Sequence, residues 1–353
     1  MSSPFVTLTP DDPDFRPYLL GNFSDDLRAL PVDSFSQNSS RERVTFRLVP
    51  IQEIKKPTWW KIYFKACRPE LLGLTLGPFF ATVLLLQKGL RASIQHPVAL
   101  IAAVLGLFFL HVCAFLLNDF RDHMRGVDFA NRKRGSQVIQ KGWASAREVR
   151  MWAFVNAGLA LACGLPALIV TPSLLAVVSI AAICVLGLSW ISSRLARFGL
   201  SDIMVFVGLG PLLTAAASLV AIGKVPSQVL LLGTAFGASA VLTLQIRQLE
   251  NLFRAGRDSF RTFIGAFDFD RARLLVLSQI IFVSTLQIAM AFEVFHRWVA
   301  VFGFVLALLP LYFVYASVKN AASPLSSDLL RIGRRAIWAQ TALLVWWGAA
   351  LWI

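Results

Sequence analysis

Long runs of apolar residues, separated by shorter polar segments, dominate the pattern along the chain. A helix needs about 20 apolar residues to cross the hydrocarbon core of a bilayer. The runs of suitable length are 70–88, 97–118, 150–171, 173–192, 203–222, 226–246, 274–292, 298–318 and 336–353. Lipid cannot satisfy the open edges of strands, so each spanning run must be helical. The pattern predicts an all-α, polytopic membrane protein with about nine transmembrane helices.

Two segments precede the first apolar run. Residues 1–50 are polar and rich in aspartate, and we predict a flexible cytosolic tail without a signal peptide. Residues 51–68 mix lysines with tryptophan, tyrosine and phenylalanine. That mixture is typical of a helix lying at a membrane interface. The predicted domains are therefore the tail, the interfacial segment and a transmembrane domain over 69–353.

Composition and charge support a membrane protein. The chain is 56% hydrophobic and 15% charged, with a formal net charge of +14. Basic residues divide twenty to four between the two sets of loops that alternate across the membrane. The positive-inside rule then predicts that the N-terminus and the long loops are cytoplasmic and the C-terminus lies outside. Most basic residues flank spans, so we expect no nucleic-acid partner.

The four cysteines do not indicate a metal or disulfide framework. They lie in or beside predicted spans and lack paired ligand spacing: Cys67, Cys113, Cys163 and Cys184. We expect them to be packing residues.

The segment from Asn118 to Gly142 follows the second apolar run and is rich in acids and bases. Asp119 and Asp122 are three residues apart, so they share one face while the helix continues. Two carboxylates at that edge suit a hard cation such as Mg2+, which also binds substrate phosphates. The following arginines and lysines suit the phosphates themselves. The alternative interpretation is a solvated loop between two spans.

These residues resemble a known family. The sequence Asn118-Asp119-x-x-Asp122, with Gly126-x-Asp128 and then Gln140-Lys141-Gly142, is similar to the first aspartate-rich region of the UbiA superfamily of intramembrane prenyltransferases. The spacing most resembles the 1,4-dihydroxy-2-naphthoate polyprenyltransferases of menaquinone synthesis. The resemblance covers about 60–353 and implies an all-helical UbiA-type bundle.

The resemblance also implies a reaction and its residues. A prenyl chain would pass from an allylic polyprenyl diphosphate to an aromatic acceptor, with Mg2+ as cofactor and membrane lipid around the site. The implied catalytic residues are Asn118, Asp119, Asp122 and Glu250. The implied metal ligands are Asp119, Asp122, Asp128 and Glu250. The implied diphosphate-binding residues are Arg132, Lys141, Arg247 and Arg257.

The second aspartate-rich motif of the family is largely missing. Gln245, Gln248 and Leu252 stand where polar or acidic residues are expected. Glu250 is either a substitute metal ligand or a partner of a neighbouring arginine, and both interpretations stay open. The site is therefore predicted to combine an intact first motif with a modified second one.

Other functions compete with prenyl transfer. A related ionisation-driven reaction, such as terpenoid cyclisation, needs no aromatic acceptor. A catalytically silent relative would bind a lipid diphosphate or a protein partner. A transporter is a further possibility on hydropathy, but the acids cluster at the membrane edge rather than at its midplane. No oligomeric state is predicted.

Overall fold

The computed structural model describes residues 5–33, 35, 42–126, 135–180, 198–251, 263–294, 297–329 and 331–351. The named helices are α1 (Phe15–Leu20), α2 (Trp59–Ala66), α3 (Leu72–Leu84), α4 (Pro97–Met124), α5 (Ala146–Val170), α6 (Leu200–Leu209), α7 (Pro211–Ile222), α8 (Ser227–Asn251), α9 (Phe269–Val294), α10 (Arg297–Asn320) and α11 (Ile332–Ala350). The predicted helical membrane architecture is confirmed. The chain divides into two compact units, residues 1–69 with 108–162 and residues 70–107 with 163–353.

The first unit begins with a small antiparallel sheet. Its strands are β1 (Phe5–Leu8), β2 (Leu27–Pro31) and β3 (Val44–Pro50), in the order β1-β3-β2. Successive side chains of a strand point to opposite faces, so Val44, Phe46 and Leu48 of β3 are buried together. Phe15 and Leu19 of α1 join the same apolar cluster.

In the described part of residues 1–50, the structure has three strands and a helix where we predicted a flexible tail. The many aspartates suggested a segment too polar to fold, but every second residue from Val44 to Leu48 is apolar. That alternation gives the sheet one apolar face to bury. The predicted domain boundaries differ from the structure as well, because the N-terminal residues belong to one unit with residues 108–162.

The basic and aromatic segment contains the helix α2. Ile62 and Ala66 are buried, whereas the side chains of Trp60 and Phe64 are 72% and 63% exposed. The helix ends where Arg68 adopts a φ of +50°. Contact of the exposed aromatic face with lipid stays a prediction.

The ends of α4 and α5 that belong to the first unit have defined caps. Gly126 has a φ of +68° and donates its N–H to the carbonyl of His123 at 3.0 Å, which closes the end of α4. At the start of α5, Glu148 N–H donates to Ser145 Oγ at 3.1 Å and Ser145 N–H donates to Glu148 Oε2 at 2.5 Å. This reciprocal pair is a capping box.

The second unit is built around α8 and has a buried polar connection among its helices. The Gln287 amide of α9 donates to Ser239 Oγ at 3.1 Å and accepts from Trp347 Nε1 of α11 at 3.0 Å. Gln287 and Trp347 are 1% and 0% exposed. Hydrogen bonds between spans hold helices together where lipid supplies no hydrophobic driving force.

Six helical segments of the described residues are long and apolar enough to cross a membrane. They are Trp59–Gly89, Pro97–Met124, Ala146–Val170, Leu200–Ile222, Ser227–Glu250 and Phe269–Glu293. Helices α10 and α11 lie at the predicted eighth and ninth spans. The fourth predicted span, 173–192, lies largely outside the described residues, and the count of nine stays a prediction.

Candidate active site

The last turns of α4 bring the two aspartates of the first motif together. Asp119 and Asp122 are 4% and 2% exposed, respectively. Because they are three residues apart within one helix, their side chains lie on the same face. A buried carboxylate is costly unless it is paired and hydrogen-bonded. The partners of these two groups therefore define the site.

Asp119 is bound from two directions within the first unit. The guanidinium of Arg68 forms a buried ion pair with its carboxylate. Ser136 N–H donates to Oδ2 of the same carboxylate at 3.3 Å. Arg68 also lies over the ring of Phe115, with 5.2 Å between Cζ and the ring centroid. Arg68 thus neutralises one of the two negative charges at the end of α4.

Asp122 is held by its own helix. The amide Nδ2 of Asn118 donates to Asp122 Oδ2 at 3.3 Å, which brings the predicted residue Asn118 into the site. The next residue, His123, is 1% exposed, and its Nε2 lies 2.9 Å from the carbonyl oxygen of Leu19 in α1. The N-terminal segment therefore contacts the helical turn that carries Asp122.

The donor set fits a partly hydrated Mg2+ ion. Mg2+ commonly uses one or two carboxylates, substrate phosphates and several waters rather than a complete protein cage. Asp119 and Asp122 supply such a pair. Within the described ranges no group of three or more acidic, histidine or cysteine side chains forms a metal cluster. The third predicted ligand, Asp128, lies outside the described residues.

Two lysines share one indole ring near the end of the motif. Lys65 Nζ and Lys141 Nζ lie 4.8 Å and 4.7 Å from the ring centroid of Trp143. Both lysines are exposed. The structure thus places Lys141, a predicted diphosphate contact, beside a second ammonium group that the sequence analysis did not select. Arg132 lies outside the described residues.

The residues predicted for the second motif lie in the second unit, and Glu250 has a different setting there. Arg331 N–H donates to Glu250 Oε1 at 3.1 Å, and Gly333 N–H donates to Oε2 at 3.0 Å. Both carboxylate oxygens therefore hold the N-terminus of α11, where free N–H groups and the helix dipole favour a negative charge.

The other second-motif residues complete this picture. Arg247 lies against the same helix start, since a Cβ added to Gly333 would stand 2.7 Å from Arg247 Cγ. Gln245 and Gln248 are buried at 2% and 5% exposure. Arg257 and Leu252 lie outside the described residues. In the described part of this region, both Glu250 carboxylate oxygens accept backbone N–H groups at a helix terminus.

One further carboxylate was not selected from the sequence as a site residue. Asp202 of α6 accepts a hydrogen bond from Phe263 N–H at 2.6 Å. Phe263 directly follows residues 252–262, which carry the rest of the second motif. The signal in the sequence was an acid in an otherwise apolar span, which is functional or structural more often than accidental.

The helical fold and the buried carboxylate pair define an integral, multi-pass membrane enzyme. Its aspartate motif stands at the end of a spanning helix, beside basic residues. Residues 75–331 match the UbiA prenyltransferase family, and the chain belongs to that family. The resemblance seen in the first aspartate-rich region is confirmed, and the protein is a prenyltransferase.

Individual relatives agree with this assignment. A 1,4-dihydroxy-2-naphthoate octaprenyltransferase from Haemophilus influenzae is 25% identical over 219 residues, which cover 59% of this chain and 70% of that protein. A UbiA homolog from Archaeoglobus fulgidus, solved with GPP and Mg2+, has a TM-score of 0.56 at 14% identity and covers 83% of this chain and 100% of that chain.

A structure of digeranylgeranylglyceryl phosphate synthase has the same fold. Its TM-score is 0.56 at 10% identity, and the match covers 83% of this chain and 98% of that chain. At these identities the solved structures establish the fold alone.

Proposed function

We propose that the chain transfers the prenyl group of an allylic polyprenyl diphosphate to an aromatic, quinone-precursor-like acceptor, with Mg2+ as cofactor. The observation that carries this proposal is the buried pair of Asp119 and Asp122 at the end of a spanning helix. The names of the relatives support it, since one is a naphthoate octaprenyltransferase and another was solved with GPP and Mg2+.

In this proposal the first motif holds the cation. Asp119 and Asp122, joined by Asp128, supply its protein ligands. Asn118 orients Asp122 through the amide hydrogen bond, and Arg68 reduces the repulsion between the two carboxylates. When bound, Mg2+ would neutralise the charge that builds up on the departing diphosphate.

Basic side chains complete the proposed leaving-group site. Within the first unit, Lys141 and Arg132 are the candidates for contacts with diphosphate oxygens. A diphosphate contact by Arg247 or Arg257 stays a prediction from the family resemblance. The bond between the first prenyl carbon and the diphosphate oxygen breaks, and its electron pair leaves with the diphosphate. A ring carbon of the acceptor then forms the new carbon–carbon bond and releases its proton to water. Donors fixed in advance lower this barrier because they need no reorganisation during reaction.

Glu250 remains a candidate ligand for a second cation, but its hydrogen bonds favour another role. Both oxygens accept backbone N–H groups at the start of α11, where the helix terminus itself favours a carboxylate. The Asp119 carboxylate is also bound at both oxygens, but it shares a helical face with a second buried carboxylate, which Glu250 does not. We therefore propose that the first motif carries the metal chemistry and that Glu250 anchors a helix.

The proposed orientation puts the N-terminus and the motif loops in the cytoplasm and the C-terminus outside. This proposal rests on the basic residues, which divide twenty to four between the two sets of loops. A topology reporter inserted in residues 129–134 should be cytoplasmic, and one fused after Ile353 should be external. The opposite result for both reporters would reverse the orientation.

The direct test of function is turnover by the purified protein. Labelled prenyl diphosphates of several lengths would be incubated with Mg2+ and a panel of dihydroxynaphthoates, hydroxybenzoates and related phenols. A prenylated aromatic product supports the proposal. Release of diphosphate together with a cyclised hydrocarbon would indicate a terpenoid cyclase instead. Diphosphate binding without turnover would indicate a silent relative.

A further inference from the structure

The N-terminal sheet, defined as β1–β3 with α1 and Phe35 of the same apolar cluster, contacts the end of α4. Phe35 N–H donates to the carbonyl of Gly126 at 3.2 Å. The carbonyl of Leu19 lies 2.9 Å from His123 Nε2, one residue beyond Asp122. Met124 packs against the apolar cluster of the sheet. Residues 123–126 are thus held by both polar and apolar contacts.

The contact with Phe35 depends on the glycine at position 126. Gly126 has a φ of +68°, and a Cβ added there would overlap the carbonyl oxygen and the ring of Phe35. The close approach of the sheet to the end of α4 is therefore specific to this residue.

The same sheet also contacts the start of α5. Arg28 of β2 forms an ion pair with Glu148, with 3.2 Å between Nη2 and Oε2. Its Nη1 donates to the carbonyl of Gly21 at 3.1 Å. Gly21 itself lies beside Ser145, since an added Cβ would stand 3.0 Å from Ser145 Cβ. Arg28 thereby binds the capping box that begins α5.

Both parts of the chain that adjoin the aspartate pair are therefore in contact with the sheet. The last turn of α4, which carries Asp122, is held at His123, Met124 and Gly126. Residues 135–145 connect Ser136, whose N–H donates to Asp119, with Ser145 and the capping box that Arg28 binds. Such contacts lower the conformational freedom that these groups must lose to hold a ligand. The sheet lies outside residues 75–331, the range that matches the family.

We propose that the N-terminal sheet is a positioning element for the divalent-cation site at Asp119 and Asp122. It acts on Asp119 through Arg28 and the described residues 135–145, and on Asp122 through the Phe35–Gly126 contact at the end of α4. The inference rests on the proposed function, because it needs the carboxylate pair to bind a cation. Partners that orient metal ligands change metal affinity by about 10- to 100-fold.

The test measures metal binding directly. Mn2+ replaces Mg2+ as the probe because it also favours carboxylate ligands, and its free concentration is read by electron paramagnetic resonance without any substrate. Full-length wild type is compared with Arg28→Met, Arg28→Lys and Gly126→Ala. Thr7→Val serves as the control, since Thr7 contacts Thr45 at the exposed side of the sheet at 3.2 Å.

Arg28→Met and Gly126→Ala should weaken Mn2+ binding about tenfold or more. Arg28→Lys should lose less Mn2+ affinity than Arg28→Met. Thr7→Val should bind Mn2+ as wild type does. A purely structural sheet would lower thermal stability in Arg28→Met and Gly126→Ala and leave the Mn2+ affinity of the folded protein unchanged. If Arg28→Met fails to fold, the Mn2+ affinity of Gly126→Ala tests the proposal by itself. Wild-type Mn2+ affinity in Arg28→Met and Gly126→Ala would overturn this inference alone, whereas no binding by wild type would overturn the metal site as well.

Discussion

The ends of α4 and α8 carry the first and second motif regions, and they use carboxylates differently. At the end of α4, two buried aspartates are bound mainly by side chains, Arg68 and Asn118 among them. At the end of α8, Glu250 is bound by two backbone N–H groups of another helix. A carboxylate at a motif position can thus be bound by side chains of its own region or by the terminus of another helix, and we propose that only the first arrangement holds a metal.

The largest effect should come from the first region. Asp122→Asn keeps the shape of the side chain and removes the charge that a cation needs. We expect prenyl transfer to fall by about 100- to 1000-fold, the loss typical of removing one electrostatic contact to a transition state. Thermal unfolding in detergent should change little, because an asparagine keeps the shape of this buried side chain and an oxygen that can accept from Asn118. Wild-type turnover in this variant would remove the first region from the metal site.

The next prediction concerns the ion pair between Arg68 and Asp119 in the first region. Arg68→Met leaves Asp119 buried without its ion-pair partner and should destabilise the protein by about 3–5 kcal/mol. Arg68→Met combined with Asp119→Leu should recover most of that stability, because an apolar pair can replace a buried ion pair. The double variant should be inactive in prenyl transfer, because it lacks the Asp119 carboxylate. Thermal unfolding of the single and double variants measures both effects, and equal stabilities would contradict a buried ion pair.

The smallest effect is expected in the second region. Glu250→Gln should destabilise the protein by about 1 kcal/mol, as the loss of a helix cap does. The Mg2+ concentration for half-maximal prenyl transfer should not change. Asp270→Asn is a suitable control for the removal of a negative charge, because this exposed residue lies in the first turn of α9. A raised Mg2+ requirement in Glu250→Gln, but not in the control, would indicate that Glu250 is a metal ligand.

Sequence predicted those features that depend on nearby residues. The lengths of apolar runs placed the helices, and a spacing of three placed Asp119 and Asp122 on one helical face. The ion pair of Arg68 with Asp119 joins residues 51 positions apart. Glu250 reaches residues 81 and 83 positions away. Such partners depend on how the chain packs, which the local pattern around either residue does not specify.

In the N-terminal segment, too, contacts between distant parts of the chain decide the structure. Its aspartates dominated the composition, but three alternating apolar residues of β3 decide its structure by packing against α1. A short strand with one apolar face gains stability only when its partner strands are present. Those partners, β1 and β2, stand apart from β3 in the sequence.

The central claim is that the first region carries the metal chemistry and the second does not. Its most direct test is a Mg2+ titration of prenyl transfer in wild type, Asp122→Asn and Glu250→Gln under the same conditions. The account predicts lost turnover in Asp122→Asn and an unchanged Mg2+ requirement in Glu250→Gln. Retained turnover in Asp122→Asn together with a raised Mg2+ requirement in Glu250→Gln would contradict it.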